Sequence, residues 1–195
     1  MTRADALAVL HAQRVADEHV ILAVRGYYLR SMGDPEHNDR GMYDDAAAVV
    51  TPQSFATYNF NTDPSRYRAA TDERKGMAVL APGIYRYTLG THGLSKPKSQ
   101  QYQAMVQAGE VKVIRDGGMI DVGYFGVNIH HGGDTTTSSE GCQTIPPGRQ
   151  FDQFMQVMRG IIPSKAKYIR YCLVTVEEFE HCLAVAAINR KGSEG

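Results

Sequence analysis

A chain of 195 residues is the length of one domain, long enough to bury about 70% of its unfolded surface. Lys+Arg and Asp+Glu both number 21, so a formal charge of zero gives no electrostatic ground for a nucleic acid or an anionic membrane as partner. Apolar residues make up 43%, ordinary for a globular domain, and no apolar run reaches the length of a bilayer span. The three cysteines, Cys142, Cys172 and Cys182, are odd in number and widely spaced. They suggest neither a disulfide framework nor a zinc ribbon. Cys172 and Cys182 read as small buried hydrophobes.

In chain order, Thr2 caps an expected helix over residues 3–17 that buries Leu7, Leu10 and Val15. The run Val20-Ile21-Leu22-Ala23-Val24 reads as a buried strand. A polar stretch follows to Tyr43. Its neighbouring carboxylates Asp34, Asp39, Asp44 and Asp45 lack the spacing of an EF-hand and read as a solvated loop bordering the site. Residues 46–50 and 55–60 predict a hairpin, and Asn61-Thr62-Asp63-Pro64-Ser65 a turn that ends it. Residues 77–80 and 84–89 alternate as strands around Ala81-Pro82-Gly83. The spacing predicts a short helix over 99–107. Residues 111–114 and 119–127 flank Arg115-Asp116-Gly117-Gly118, a hairpin turn. Pro146-Pro147-Gly148 opens a helix that buries Phe151, Phe154, Met155 and Met158 and ends at Gly160. Residues 168–174 form a strand. Thr175-Val176-Glu177-Glu178 is a capping box for a last helix over 176–190. With no repeats or linkers, residues 1–195 are expected to form one mixed α+β, strand-rich domain with peripheral helices.

The chemistry concentrates between Gly126 and Ile145. The alternating run 124–129 ends in His130 and His131. A loop of glycine, aspartate and hydroxyl residues then leads to Ser139-Glu140-Gly141-Cys142. A thiol attacks as thiolate, so it needs a base or a positive charge nearby, and a loop folding back would bring Cys142 to the histidines. Cys142 is accordingly expected to be partly thiolate near neutral pH. Glycine before the cysteine allows a tight turn that aims the Gly141 and Cys142 amides at an oxyanion. Period-two alternation puts Asn128 and His130 on one face, favouring His130 as base and Asn128 as its orienter, with His131 the second choice or a substrate contact. His92, in Gly90-Thr91-His92-Gly93, reads as a loop histidine lining the cleft. Ser139 is expected to brace the loop through hydroxyl-to-backbone bonds and to border the substrate.

Ile129-His130-His131-Gly132 and Ser139-Glu140-Gly141-Cys142 resemble the catalytic motif of the L,D-transpeptidase (YkuD-like) family, where Ile-His-Gly leads to Ser-His-Gly-Cys. The likeness is nearest to phage, prophage and secreted-effector members. Glu140 replaces the motif's second histidine, Thr144 stands where arginine or asparagine is usual, and the loop is shorter. Ala81-Pro82-Gly83 echoes the family's Thr-Pro-x-Gly turn, extending the resemblance over about residues 44–145. The resemblance implies an L,D-transpeptidase-like sheet domain that needs no cofactor. Cys142 would attack peptidoglycan tetrapeptide stems to form a thioester, which passes to an amine (transpeptidation or D-amino-acid exchange) or to water (carboxypeptidase activity). Glu140 would then hold a cationic substrate group.

Two other classes are weighed beside it. One is a metal-dependent wall hydrolase ligated by His92, His130, His131, Cys142 or Asp134. It is disfavoured because adjacent strand histidines face opposite ways, and no metal is expected. The other is a non-catalytic wall- or structure-binding module with an inert cysteine. The N-terminus Met1-Thr2-Arg3-Ala4-Asp5 shows no secretory signal. The expectation is therefore a protein made in the cytoplasm that acts in the periplasm or on the wall after lysis or delivery. That fits an antibacterial effector with an immunity protein or delivery partner, or a phage lysis protein.

Overall fold

The computed structural model describes residues 1–32, 40–162 and 167–193, leaving aside the side chains of 191–193. The apolar strand read at residue 20 is its centre. β1 (Val20–Arg25) lies parallel to β11 (Ile169–Thr175) on one side and antiparallel to β2 (Asp45–Val50) on the other. Val20, Leu22 and Val24 face one apolar layer while Ile21 and Ala23 face another, so an unbroken apolar run is what two buried faces require. In the first layer, α1 (Arg3–Ala12) and α3 (Val176–Ser193) supply Val9, Leu10, Phe179 and Cys182. In the second, α2 (Arg149–Ile161) supplies Phe154, Met155 and Met158.

The large sheet adds β3 (Phe55–Phe60), β5 (Gly83–His92), β6 (Tyr102–Gln107), β9 (Ile129–His131) and β10 (Gln143–Ile145), and its strand order is β10-β9-β6-β5-β11-β1-β2-β3. A smaller antiparallel sheet joins β4 (Ala78–Leu80), β7 (Val111–Arg115) and β8 (Ile120–Gly123). The ends of the large sheet meet. Asn61, just past β3, bridges Thr144 of β10 through Asn61 N–H to Thr144 O and Thr144 N–H to Asn61 O, both 2.8 Å. The result is a nearly closed, strand-rich α+β domain with peripheral helices. This closure carries the Cys142 loop, because β10 begins at the next residue.

Local chemistry sets the helices. Thr2 and Asp5 form a reciprocal capping box, and Thr175 and Glu178 form another at α3. Several expectations change. α1 stops at Ala12 rather than residue 17, since Arg14 turns the chain at φ 57°. Leu7 falls on its outer face at 45% exposure, and Val15 packs from beyond the helix. Residues 99–107 are a brief 3₁₀ turn (Lys98–Gln100) and then β6, because pairing with β5 overrides local helix propensity. The run 119–127 is no single strand. β8 ends at Gly123, and residues 124–128 cross between sheets, with Gly126 at φ 70°. Residues 61–64 of the expected turn are buried, because they close the sheet.

Asp44 and Asp45 are buried rather than solvated. Asp45 accepts the amides of Gly26 (2.5 Å) and Thr62 (2.6 Å). Asp34 and Asp39 lie outside the described residues.

Candidate active site

β9 and β10 run parallel, Gln143 beside Ile129 and Thr144 beside His130, so Cys142 arrives just ahead of the strand that carries the histidines. The loop between them is pinned from within. Ser139 Oγ donates to Cys142 O (2.6 Å) and accepts from Gly141 N–H (3.0 Å). Ser139 N–H reaches Ser65 Oγ at 2.6 Å. Gln143, fully buried, donates to Thr62 O and Gly141 O (both 3.3 Å) and accepts from Tyr171 Oη (2.8 Å). Gly141 sits at φ 136°, where a Cβ would come within 2.5 Å of Ala78 O, so this position excludes side chains.

The thiol lies half-buried in a cleft of about 860 Å³. His92, His130 and Cys142 each turn a donor atom into the same spot, all within 4.8 Å of one another. His92, the last residue of β5, stacks on His130 with ring centroids 3.9 Å apart and planes 24° off parallel. It is thus a strand-end residue rather than a free loop histidine. His131 turns the other way, stacking on Tyr102 at 4.3 Å and edge-on to Phe151 at 5.3 Å. Of the two adjacent histidines, His130 is the one that shares the thiol's position. Asn128 contacts His92 rather than His130, its Nδ2 lying 3.3 Å from His92 Nδ1.

Burial governs the charges. It pushes the Cys142 thiol up to about 11, helped by Glu140 and opposed by the Asn128 amide and Lys96. It pulls His130 down to about 3, with His92 adding to the fall and the His131 carbonyl opposing it. His92 is lowered by burial, then by Lys96 and His131. The resting pair is therefore neutral thiol and neutral imidazole, against the expectation of a partial thiolate. Sγ rests between Asn128 N–H (3.4 Å) and Gly126 O (3.3 Å), accepting from the first and donating to the second. The oxyanion role expected of Gly141 also changes, because its N–H is already taken by Ser139.

Ser139 is 3% exposed and serves the loop, as its hydroxyl chemistry suggested. Glu140 is exposed at the cleft and lies 3.4 Å from Arg68. Three cleft features were not singled out from the sequence. Tyr102 Oη lies 3.2 Å from His130 Nδ1. Gln107 Oε1 accepts the amides of residues 125, 126 and 127 at 3.1–3.3 Å and so shapes the crossing segment. Lys96 lines the rim. Tyr102 and Gln107 fell in the segment read as helix; the alternation of Gln103, Met105 and Gln107 with Tyr102, Ala104 and Val106 was the available signal.

The same three donors also raise the question of a metal. Of the ligands weighed for a metal site, His92, His130 and Cys142 stand together with donor atoms within 4.8 Å of one another, and His131 does not join them. The two rings are stacked at 3.9 Å between centroids, whereas a tetrahedral zinc takes each Zn–N bond of about 2 Å in its own ring plane. Asp134 is exposed and stands outside this cluster. No protein-family model, curated protein or solved structure matches this chain.

Proposed function

We propose that this protein is a cysteine acyltransferase or peptidase acting on peptidoglycan stem peptides, with Cys142 as nucleophile and His130 as its base. The observation that carries the reading is the placement of the Cys142 thiol, just ahead of β10, and the His130 imidazole, on the parallel strand β9, in one cleft. The motif resemblance supplies the substrate class. His130 Nδ1 lies 2.6 Å from the His131 carbonyl, which can only accept, so Nδ1 carries the proton and Nε2 presents a lone pair.

The sulfur attacks the carbonyl carbon between an L-centre and a D-residue as its proton passes to His130 Nε2. The carbonyl π pair moves to oxygen. When the tetrahedral intermediate collapses, the C–N bond breaks and His130 returns the proton to the departing amine. The thioester then passes to an amine or to water. A neutral resting pair suits this sequence, since the proton leaves sulfur for His130 as the C–S bond forms and no free thiolate is required. Lys96 at the rim offers a cation to the carboxylate of the departing D-residue, and Glu140 offers an anion to a side-chain amine of the stem.

Mass spectrometry of muropeptides incubated with the protein tests the reading. Loss of a terminal D-residue, or its exchange for an added D-amino acid, is expected from the native protein and absent with Cys142→Ala. Unchanged muropeptides with folded native protein would reject this substrate class.

A further inference from the structure

We infer that His92 is a second catalytic imidazole, a neutral N–H donor to the oxyanion, and that Asn128 is the positioning residue that sets its tautomer. This rests on the thioester reading of the site but goes beyond it, because of the two loop amides expected to serve the oxyanion that reading keeps only the Cys142 N–H. The loop glycine cannot serve, since the Gly141 N–H is held by Ser139 Oγ at 3.0 Å. Gln143 N–H is likewise spent, on Asn128 O at 2.8 Å.

His92 shares the thiol's position and lies flat against the base. Its proton can be placed from the bonds around it. Asn128 Oδ1 accepts from Gln107 N–H at 3.2 Å, so the NH₂ of that side chain is the group 3.3 Å from His92 Nδ1. An amide NH₂ has no lone pair to offer, so Nδ1 is the acceptor and the ring's single proton sits on Nε2. His130 is arranged the opposite way, with Nδ1–H given to the His131 carbonyl at 2.6 Å and Nε2 left bare. Two stacked imidazoles thus hold complementary tautomers, one presenting a lone pair and the other an N–H.

Each fills one need of the attack. The sulfur's proton goes to His130 Nε2, and the electron pair displaced from the carbonyl goes to an oxygen that accepts His92 Nε2–H. No proton leaves His92, so collapse of the intermediate restores both rings unchanged. The stack also sets the new imidazolium of His130 against the face of a neutral ring. A strand end and the anchored Asn128 hold His92 before substrate arrives, the preorganisation an oxyanion donor requires.

Nitrogen-15 histidine NMR of the native protein, with no substrate, reads the tautomers directly. The expected result is His92 protonated on Nε2 and His130 on Nδ1; the same tautomer on both would overturn the assignment whatever the enzyme's activity. Kinetics of thioester formation, followed by intact-protein mass spectrometry, then test the role. His92→Phe keeps a ring on the stack without a donor, and should cut the acylation rate about 10²–10³-fold with KM changed less than about threefold. His92→Gln restores an N–H donor and should recover at least about tenfold of that loss. If native protein forms the thioester and His92→Phe forms it equally fast, the inference fails while the cysteine reading stands. If native protein forms none on muropeptides, the cysteine reading fails, and the NMR result still decides the tautomers.

Discussion

Cys172 and Cys182 lie between the large sheet and the helices α1 and α3, packed among Val9, Leu22 and Phe179. Cys142 lies in the β9–β10 corner, among two stacked histidines and a loop braced by Ser139 and Gln143. Burial raises Cys172 to about 12 and Cys142 to about 11, so desolvation alone does not separate the two. What separates them is company. Cys142 shares a cleft with imidazoles that can take its proton, whereas Cys172 has carboxylate and thiol neighbours that only deepen its reluctance to ionise. The difference between the cysteines is thus the proton acceptors held at Cys142, and a lowered resting pKa is not part of it.

Exchanging the two roles is the harshest test. Cys142→Ala should abolish muropeptide turnover while urea unfolding shifts by no more than about 0.5 kcal/mol, the scale of a change outside the core. Cys172→Ala should do the reverse, keeping turnover and losing about 1 kcal/mol for a group the size of a methylene removed from a packed layer. Turnover surviving in the first variant, or vanishing in a folded second one, would dissolve the contrast.

Within the active corner, the two adjacent histidines provide a finer comparison. His130→Ala should lower the acylation rate about 10²–10⁴-fold, the range for a positioned base. His131→Ala removes a ring stacked on Tyr102 and edge-on to Phe151, and should cost less than about tenfold. Steady-state kinetics on a purified tetrapeptide stem settle the order, and a more damaged His131 variant would reassign the base.

Alkylation sharpens the point about resting charge. With its thiol raised to about 11, Cys142 in the free protein should react sluggishly with iodoacetamide at pH 7, its rate climbing about tenfold per pH unit toward pH 10. A rate already level between pH 6 and 8 would mean a preformed thiolate.

The gentlest prediction concerns the strand β2. Burial, with Asp63 and Asp44 adding repulsion, raises the Asp45 carboxyl from 3.8 to about 7, against the pull of the Gly26 amide and Arg25. Between these values the folded state binds the proton that the unfolded state releases. Stability should therefore be greatest below about 3.8 on this account and fall as pH rises to about 7, by something on the order of a few kcal/mol at most. Urea midpoints from pH 5 to 8 measure the slope, and Asp45→Asn should flatten it. A native slope of opposite sign would show that the amide bonds to Asp45 outweigh its burial.

Whatever neighbours along the chain decide was legible in the residues alone. Both capping boxes, the β1 run, the β2–β3 hairpin, the buried face of α2 and the burial of Cys172 and Cys182 rest on periodicity and cap chemistry within a few residues. It also brought His130, His131 and Cys142 together, because glycine, imidazole and thiol crowd into one short loop. Tertiary structure decided the rest. Tyr102 to Gln107 became a strand because β5 offered an edge to pair with, and residues 124–128 left strand geometry to cross between two sheets. Asp44 and Asp45 went inside because the ends of the large sheet meet beside them, as Asn61 and Thr144 show. His92 reached Cys142 across 50 residues of chain by strand pairing. Ser139 took the amide that Gly141 was expected to offer substrate, but that bond spans only two residues and so belongs to local hydroxyl chemistry, whereas the approach of His92 and the burial of Asp44 and Asp45 join segments that only the sheet brings together.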